Sequence, residues 1–106
     1  MIHRSVCLLG STGSIGRQAE AVLRAHPQNF TVLGLAAAGG RVDDLVRQVA
    51  LWHPPTVVVA DPAALPRLEA GLASAGLTVP NLAAGPQAVS ELAGQGADLV
   101  LNGITG

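Results

Sequence analysis

The chain has 106 residues, of which 49% are apolar and 12% are charged, and its formal net charge at pH 7 is -1. This length supports one compact domain, and the near-neutral charge offers no basic surface to nucleic acid or to an anionic membrane. The chain contains neither lysine nor tyrosine, which excludes every site whose chemistry needs one of those side chains.

The first predicted strand is Ser5 to Leu9, the apolar run SVCLL that ends at Gly10. Within it lies Cys7, the only cysteine, so no internal disulfide and no paired-cysteine metal motif is possible. We interpret Cys7 as a small buried strand residue, which fits a reducing cytoplasm. Glycines follow too soon for a secretory signal, and no apolar run approaches the ~18 residues of a membrane span.

Helical and strand-like patterns alternate along the rest of the chain. The first helix starts at Ser14 and stops at Pro27, and it carries Ile15, Ala19, Val22 and Leu23 at helical spacing. Asp61 is a candidate cap for a helix that follows the β-branched strand TVVVA. The later elements are predicted as strand Phe30 to Ala36, helix Val42 to Trp52, strand Thr56 to Ala60, helix Pro62 to Ala73, short strand Thr78 to Leu82, helix Pro86 to Ala93 and strand Asp98 to Leu101.

This alternation predicts an α/β fold, a Rossmann-like parallel sheet with helices on both faces. The chain stops at NGITG, in a glycine-rich loop directly after a predicted strand. A doubly wound sheet normally continues at that point, so we expect the sheet to be incomplete at the C-terminus. Residues 1–106 are therefore expected to be the N-terminal part of a longer protein.

The stretch LLGSTGSIG joins the first strand to the first helix and has glycines at positions 10, 13 and 16. Glycines in such a turn allow unusual backbone angles and close approach to a pyrophosphate, and the helix N-terminus offers free N–H groups. The spacing GxxGxxG differs from the common GxGxxG, and Arg17 stands where a Walker loop has lysine. The turn therefore predicts nucleotide phosphate binding, and Ser14 is also a candidate helix cap.

The second strand is followed by AAAGGR, where NAD-binding folds usually place an acid. Arg41 stands there after Gly39 and Gly40, which favours NADP, although a solvated charge at a helix start explains the arginine equally well. Asp43 and Asp44 are interpreted as first-turn acids that stabilise the helix dipole. Asn102 to Gly106 forms a polar loop where an open α/β sheet binds ligands, or is a plain turn.

The segments LLGSTGSIGRQA, FTVLGLAAAGGRVDDL, VVVAD, LAAGP and ADLVLNGITG occur in the order and spacing of a known family. Together they resemble the N-terminal NADPH-binding domain of the 1-deoxy-D-xylulose 5-phosphate reductoisomerases. The resemblance covers essentially the whole chain, and GSTGSIG is its most specific part.

The resemblance implies an oxidoreductase and isomerase of the non-mevalonate pathway of isoprenoid biosynthesis. Such an enzyme converts 1-deoxy-D-xylulose 5-phosphate into 2-C-methyl-D-erythritol 4-phosphate with NADPH and a Mg or Mn ion. The resemblance also implies two sets of cofactor contacts. The pyrophosphate is contacted by Thr12, Gly13, Ser14 and Ile15, and the adenosine ribose phosphate is surrounded by Gly39, Gly40 and Arg41. A phosphosugar substrate, a homodimer and a cytoplasmic location are implied for the longer enzyme.

In this family the Asn-Lys-Glu-Ser segment, the acidic metal ligands, the substrate lid and the C-terminal helical domain all come after the point where this chain stops. No catalytic residue and no metal ligand is therefore assigned within residues 1–106, and the chain alone is expected to be inactive. Two alternatives remain open. One is another GxxGxxG NADP-dependent reductase, such as an aspartate-semialdehyde or dihydrodipicolinate-type enzyme, and the other is a free-standing NADP(H) sensor.

Overall fold

The fold is taken from a computed structural model that describes residues 3–103. Over this range strands and helices alternate as predicted. The strands are β1 Arg4–Leu9, β2 Phe30–Ala37, β3 Thr56–Val59, β4 Asn81–Ala84 and β5 Leu99–Asn102. The helices are α1 Ser14–Ala25, α2 Val42–Trp52, α3 Leu65–Ser74 and α4 Pro86–Ala93, with a 3₁₀ turn at Pro62–Ala64 before α3.

The described strands form one parallel sheet in the order β4-β3-β2-β1-β5. Strands β2, β3 and β4 are added one after another on one side of β1, and β5 then pairs with the other side of β1. The strand order therefore reverses at β1. In open α/β sheets such a reversal opens a crevice at the carboxyl ends of the strands, which is where ligands bind.

The two faces of the sheet are covered unequally. Leu23 of α1, Leu45 of α2 and Leu68 of α3 join Val6 and other strand residues in one buried cluster. Leu92 of α4 packs against the opposite face, in a cluster that includes Cys7. Three helices therefore cover one face and one covers the other, which confirms the predicted α/β sheet. Cys7 is fully buried, and that burial raises the pKa of its thiol.

The apolar residues that predict α1 do not all face the core. Ile15 is 53% exposed and Val22 is 56% exposed, whereas the buried residues are Gly16, Glu20 and Leu23. The buried stripe starts at a glycine and includes a charged residue, so apolar spacing alone did not reveal it. Ser14 is also not the cap: Gly13 occupies that position without a side-chain hydrogen bond.

The predicted strand Thr78 to Leu82 is wrong at its start, because the strand begins only at Asn81. Pro80 has no N–H to donate to a strand partner, and the first bond is donated by Asn81 N–H to Pro55 O (2.9 Å). The helix predicted from Pro62 begins instead as a 3₁₀ turn. Its predicted cap is confirmed, since Asp61 Oδ1 accepts from Ala63 N–H at 3.0 Å.

The ends of α1 and β4 each differ from the prediction by two residues, since α1 ends at Ala25 and not at Pro27, and β4 ends at Ala84 and not at Leu82. The remaining predicted boundaries agree with the structure to within one residue, and α2 and α4 agree at both ends. None of the helices between residues 3 and 103 combines the length and apolarity needed to cross a bilayer.

Candidate functional site

The glycine turn leaves β1 and enters α1 by a tightly bonded path. Gly10 adopts φ +80°, and its N–H and that of Ser11 both donate to Ala36 O of β2, at 2.7 and 3.0 Å. Gly13 N–H then donates back to Gly10 O at 3.1 Å. These bonds fix the turn against the neighbouring strand, so its backbone is held in place before any ligand arrives.

Gly16 lets α1 approach this turn closely. A Cβ atom at Gly16 would lie 2.4 Å from both Gly10 O and Ser11 O, which no side chain tolerates. The first backbone bond of the helix runs from Arg17 N–H to Gly13 O (2.9 Å). The N–H groups of Ser14, Ile15 and Gly16 therefore precede the helical hydrogen-bond ladder, at the positive end of the helix dipole. This arrangement suits a phosphate.

The second loop connects β2 to α2 and contains Gly39, Gly40 and Arg41. Gly39 is buried with φ +121°, and a Cβ there would lie 2.8 Å from Ala64 Cβ, so glycine is required for both conformation and space. Arg41 is exposed, and its Nη1 donates to Thr12 O at 3.4 Å. The arginine therefore links the second loop to the glycine turn.

Two neighbouring depressions lie at the carboxyl ends of the strands and share Gly40 and Arg41. The first, of about 310 Å³, is lined by Gly10, Thr12, Gly13, Ala38, Gly40, Arg41 and Gly103. The second, of about 440 Å³, is lined by Gly39, Gly40, Arg41, Val42, Asp43, Asp44 and Arg67. The structure thus brings together five of the seven predicted residues, namely Thr12, Gly13, Gly39, Gly40 and Arg41.

The other two predicted residues, Ser14 and Ile15, are exposed at the start of α1. A Cβ placed on Gly103 would lie 3.1 Å from Ile15 Cβ, so the loop after β5 runs beside the start of α1. Gly103 N–H also donates to Leu9 O at 2.7 Å. Of the predicted NGITG loop, residues 104–106 lie outside the described range.

Sequence reasoning missed Arg67, which belongs to α3. Its Nη2 donates to Gly39 O at 3.3 Å, and it lines the larger depression beside Arg41. Asp43 and Asp44 line the same depression from the first turn of α2. Two guanidinium groups and two carboxylates therefore share this space. The spacing of residues in the sequence gave no sign that α3 reaches the second loop.

A buried polar network lies beneath the glycine turn and was also missed. Gln48 of α2 is fully buried, and its Nε2 donates to Ser11 O at 2.8 Å and to Glu20 Oε1 at 3.2 Å. Arg47 donates to both carboxylate oxygens of Glu20, each at 2.9 Å. The hydrogen bond from Arg47 lowers the pKa of Glu20, although desolvation opposes this effect. Glu20 is therefore held ionised between α1 and α2.

The described residues do not suit a metal ion. Among residues 3–103 no group of three or more His, Cys, Asp or Glu side chains lies close enough to hold one. The two depressions are lined by glycine backbone, a hydroxyl group and two guanidinium groups, which are groups that bind anions, and the larger one also by the carboxylates of Asp43 and Asp44. The smaller depression, which has no carboxylate in its lining, therefore suits an anion better than the larger one.

Comparison with known proteins agrees with this geometry. The model of the 1-deoxy-D-xylulose 5-phosphate reductoisomerase family matches residues 6–106. The reductoisomerase of Bifidobacterium longum subsp. infantis is 48% identical over 104 residues, covering 98% of this chain and 26% of that protein. The one of Beutenbergia cavernae is 49% identical over 111 residues, covering 100% of this chain and 27% of that protein.

Solved structures show the same fold. The Zymomonas mobilis reductoisomerase in complex with NADPH is 34% identical, with a TM-score of 0.87, and the match covers 98% of this chain and 26% of that one. A DOX-P reductoisomerase in complex with magnesium is 30% identical, with a TM-score of 0.90 and coverage of 98% and 26%. The chain spans about a quarter of the length of these relatives. The chain belongs to the 1-deoxy-D-xylulose 5-phosphate reductoisomerase family.

Proposed function

We propose that this chain is the NADPH-binding part of a 1-deoxy-D-xylulose 5-phosphate reductoisomerase. The observation that carries the proposal is the pair of adjoining depressions at the reversal of strand order, joined through Gly40 and Arg41. One depression borders the glycine turn, and the other borders the second loop and is lined by Arg41 of that loop and Arg67 of α3. Their chemistry matches a dinucleotide whose pyrophosphate lies at the glycine turn and whose additional phosphate, on the adenosine ribose, lies at the second loop.

The pyrophosphate is assigned to the glycine turn. Thr12 and Gly13 line its depression, and the N–H groups of Ser14 and Ile15 lie ahead of the α1 hydrogen-bond ladder. Gly16 supports this cradle by allowing the close contact between helix and turn. Bound there, NADPH supplies the hydride for the reduction, while residues of this chain only bind and orient it.

The adenosine 2′-phosphate is assigned to the second loop. Gly39 and Gly40 have no side chains, so a ligand can approach their backbone closely. The Arg41 and Arg67 guanidinium groups supply the positive charge. Guanidinium groups recognise phosphate through charge-assisted hydrogen bonds, which are stronger than hydrogen bonds between neutral groups. The carboxylates of Asp43 and Asp44 oppose this charge, so the selectivity depends on both arginines.

Titration with NADPH and NADH tests this assignment. We expect Arg41→Ala to weaken NADPH binding by about 10- to 100-fold and NADH binding by much less, because only NADPH carries the 2′-phosphate. Arg67→Ala should act in the same direction. Arg4→Ala is the matched control, since Arg4 starts β1 at the opposite end of the sheet. Equal affinities of the parent chain for NADPH and NADH would contradict the role of the second loop.

For the longer enzyme we propose the conversion of 1-deoxy-D-xylulose 5-phosphate to 2-C-methyl-D-erythritol 4-phosphate, a cytoplasmic location and a homodimer, on the strength of family membership. Relatives include a DOX-P reductoisomerase solved with NADPH, fosmidomycin and magnesium. Because residues 3–103 offer no metal cluster, we derive no metal-dependent step from this chain. We expect the 106-residue chain alone to show no substrate-dependent NADPH oxidation in the presence of Mg²⁺. Turnover would show that the chain itself carries the reacting groups.

A further inference from the structure

Gln48 is an unusual residue for its position in the core. It lies between Leu45 and Val49 on the buried face of α2 and is itself fully buried. An apolar side chain of similar size would fill this position without the cost of burying an amide. Packing alone therefore does not account for a glutamine here.

The contacts of Gln48 fix the orientation of its amide. Both near partners, Ser11 O and Glu20 Oε1, are acceptors, so the nitrogen and not the oxygen of the amide must face them. With its nitrogen on this side, Gln48 directs one N–H at the Ser11 carbonyl, within the glycine turn, at 2.8 Å.

Holding the Ser11 carbonyl also orients the next N–H group. In a planar trans peptide the carbonyl of one residue and the N–H of the next point in opposite directions. With Ser11 O drawn toward α2, the Thr12 N–H points away from α2. Thr12 lines the depression at the glycine turn.

We infer that Gln48 is a positioning residue for dinucleotide binding: its bond to Ser11 O presents the Thr12 N–H to the pyrophosphate. The inference rests on the proposed function, because it assigns a role within the same phosphate cradle. It adds a residue that touches no part of the ligand and acts through one peptide group of the turn.

The test is an NMR titration of Gln48→Met with NADPH and with NADH. Methionine keeps the volume but removes the donor, so we expect both dissociation constants to rise by about tenfold. The NADH dissociation constant divided by the NADPH dissociation constant should stay unchanged, because the pyrophosphate is common to both ligands. A general loosening of α2 would instead lower this ratio by weakening the preference for NADPH, since Arg41 precedes the first residue of that helix.

Arg47→Met is the matched control. It breaks the ion pair with Glu20 and destabilises the same junction, but it leaves the bond from Gln48 to Ser11 O in place. We expect its affinities for both dinucleotides to stay within about twofold of the parent chain. The Thr12 amide resonance, recorded without ligand, should move in Gln48→Met and stay in Arg47→Met.

Unchanged affinities in Gln48→Met, or a lower NADPH preference, would overturn the inference. If the parent chain bound neither dinucleotide, the proposed function would fail, and the Thr12 amide resonance alone would then decide the role of Gln48. Should Gln48→Met not fold, Gln48→Asn replaces it, because asparagine keeps an amide but withdraws it from Ser11 O by one methylene.

Discussion

At the scale of single residues, two glycines of the site differ in how much space surrounds them. Gly16 has no room for a methyl group, whereas a Cβ at Gly40 would meet nothing within 4 Å. The same residue type therefore has a steric role at one position and leaves open space at the other. This contrast can be measured with a single added methyl group.

We expect Gly16→Ala to lower the free energy of unfolding by about 2 kcal/mol or more, because α1 must move away from the turn to accept the methyl group. Cofactor affinity should fall with it. Gly40→Ala should change the unfolding energy by less than about 0.5 kcal/mol. Urea unfolding of both variants measures the difference, and equal stabilities would contradict the steric account of the turn.

Glu20 makes stability depend on pH. Its pKa in the folded chain lies below the ordinary value of 4.5, first because of the hydrogen bond from Arg47. The ionised carboxylate therefore stabilises the fold above the unfolded pKa, and this contribution is lost as the pH falls through the folded value. We expect Glu20→Gln to cost about 1 to 2 kcal/mol at pH 7. The difference from the parent chain should shrink on acidification below about pH 4, as followed by thermal unfolding at each pH.

At the scale of elements, the packing of α4 on the sheet includes one very close fit. A Cβ added to Gly34 of β2 would lie 2.3 Å from Leu92 Cδ1 of α4, and Leu92 is almost fully buried. The glycine thus forms a recess for the leucine. A side chain at position 34 would therefore push away the only helix on that face within residues 3–103.

A double-mutant cycle tests this fit. Leu92→Ala should cost about 2 to 4 kcal/mol through the cavity it leaves, and Gly34→Ala about 1 kcal/mol or more through crowding. In the double variant the new methyl group occupies part of the cavity, so the combined cost should be at least about 0.5 kcal/mol smaller than the sum. Additive costs would show that the two side chains do not share that space.

The elements also show what the sequence could predict. Boundaries marked by local signals, such as glycine turns, prolines and β-branched runs, were predicted to within one residue for most strands. The start of β4 was not, although Pro80 is itself a local signal, and the buried face of α1 was not, because Gly16 and Glu20 are buried by contacts outside the helix. In the site, the glycines and Arg41 follow from the loops, whereas Arg67 and Gln48 reach it from other helices. No local pattern reveals such contacts.

At the scale of the whole molecule, burial decreases from the centre of the sheet to its edges. Residues Val6 to Leu9 of β1 and all residues of β3 are buried, while β4 and β5 have none that are fully buried. The start of β5 is held by Asp98, whose Oδ2 accepts from Ser5 N–H at 2.8 Å. The bond from that backbone group lowers the pKa of Asp98.

We expect amide hydrogen exchange to follow this gradient. The amides of β1, β2 and β3 should be the slowest and should exchange through global unfolding, whereas those of β4 and β5 should exchange faster through local opening. Asp98→Ala should speed exchange at Leu99 to Asn102 further and leave β3 unchanged. Uniform protection across all strands would contradict a graded sheet.

The pairing of β1 with β5 also has a consequence for how the chain folds. Val6 pairs with Leu99, so β1 meets this second neighbour only after more than ninety further residues have been synthesised. Pairs of such large sequence separation raise the contact order and slow folding, because a long loop must close first. During synthesis, β1 to β4 can assemble while one side of β1 still lacks a partner. The side of β1 away from β2 therefore gains its partner only when β5 docks, after the other four described strands have been synthesised.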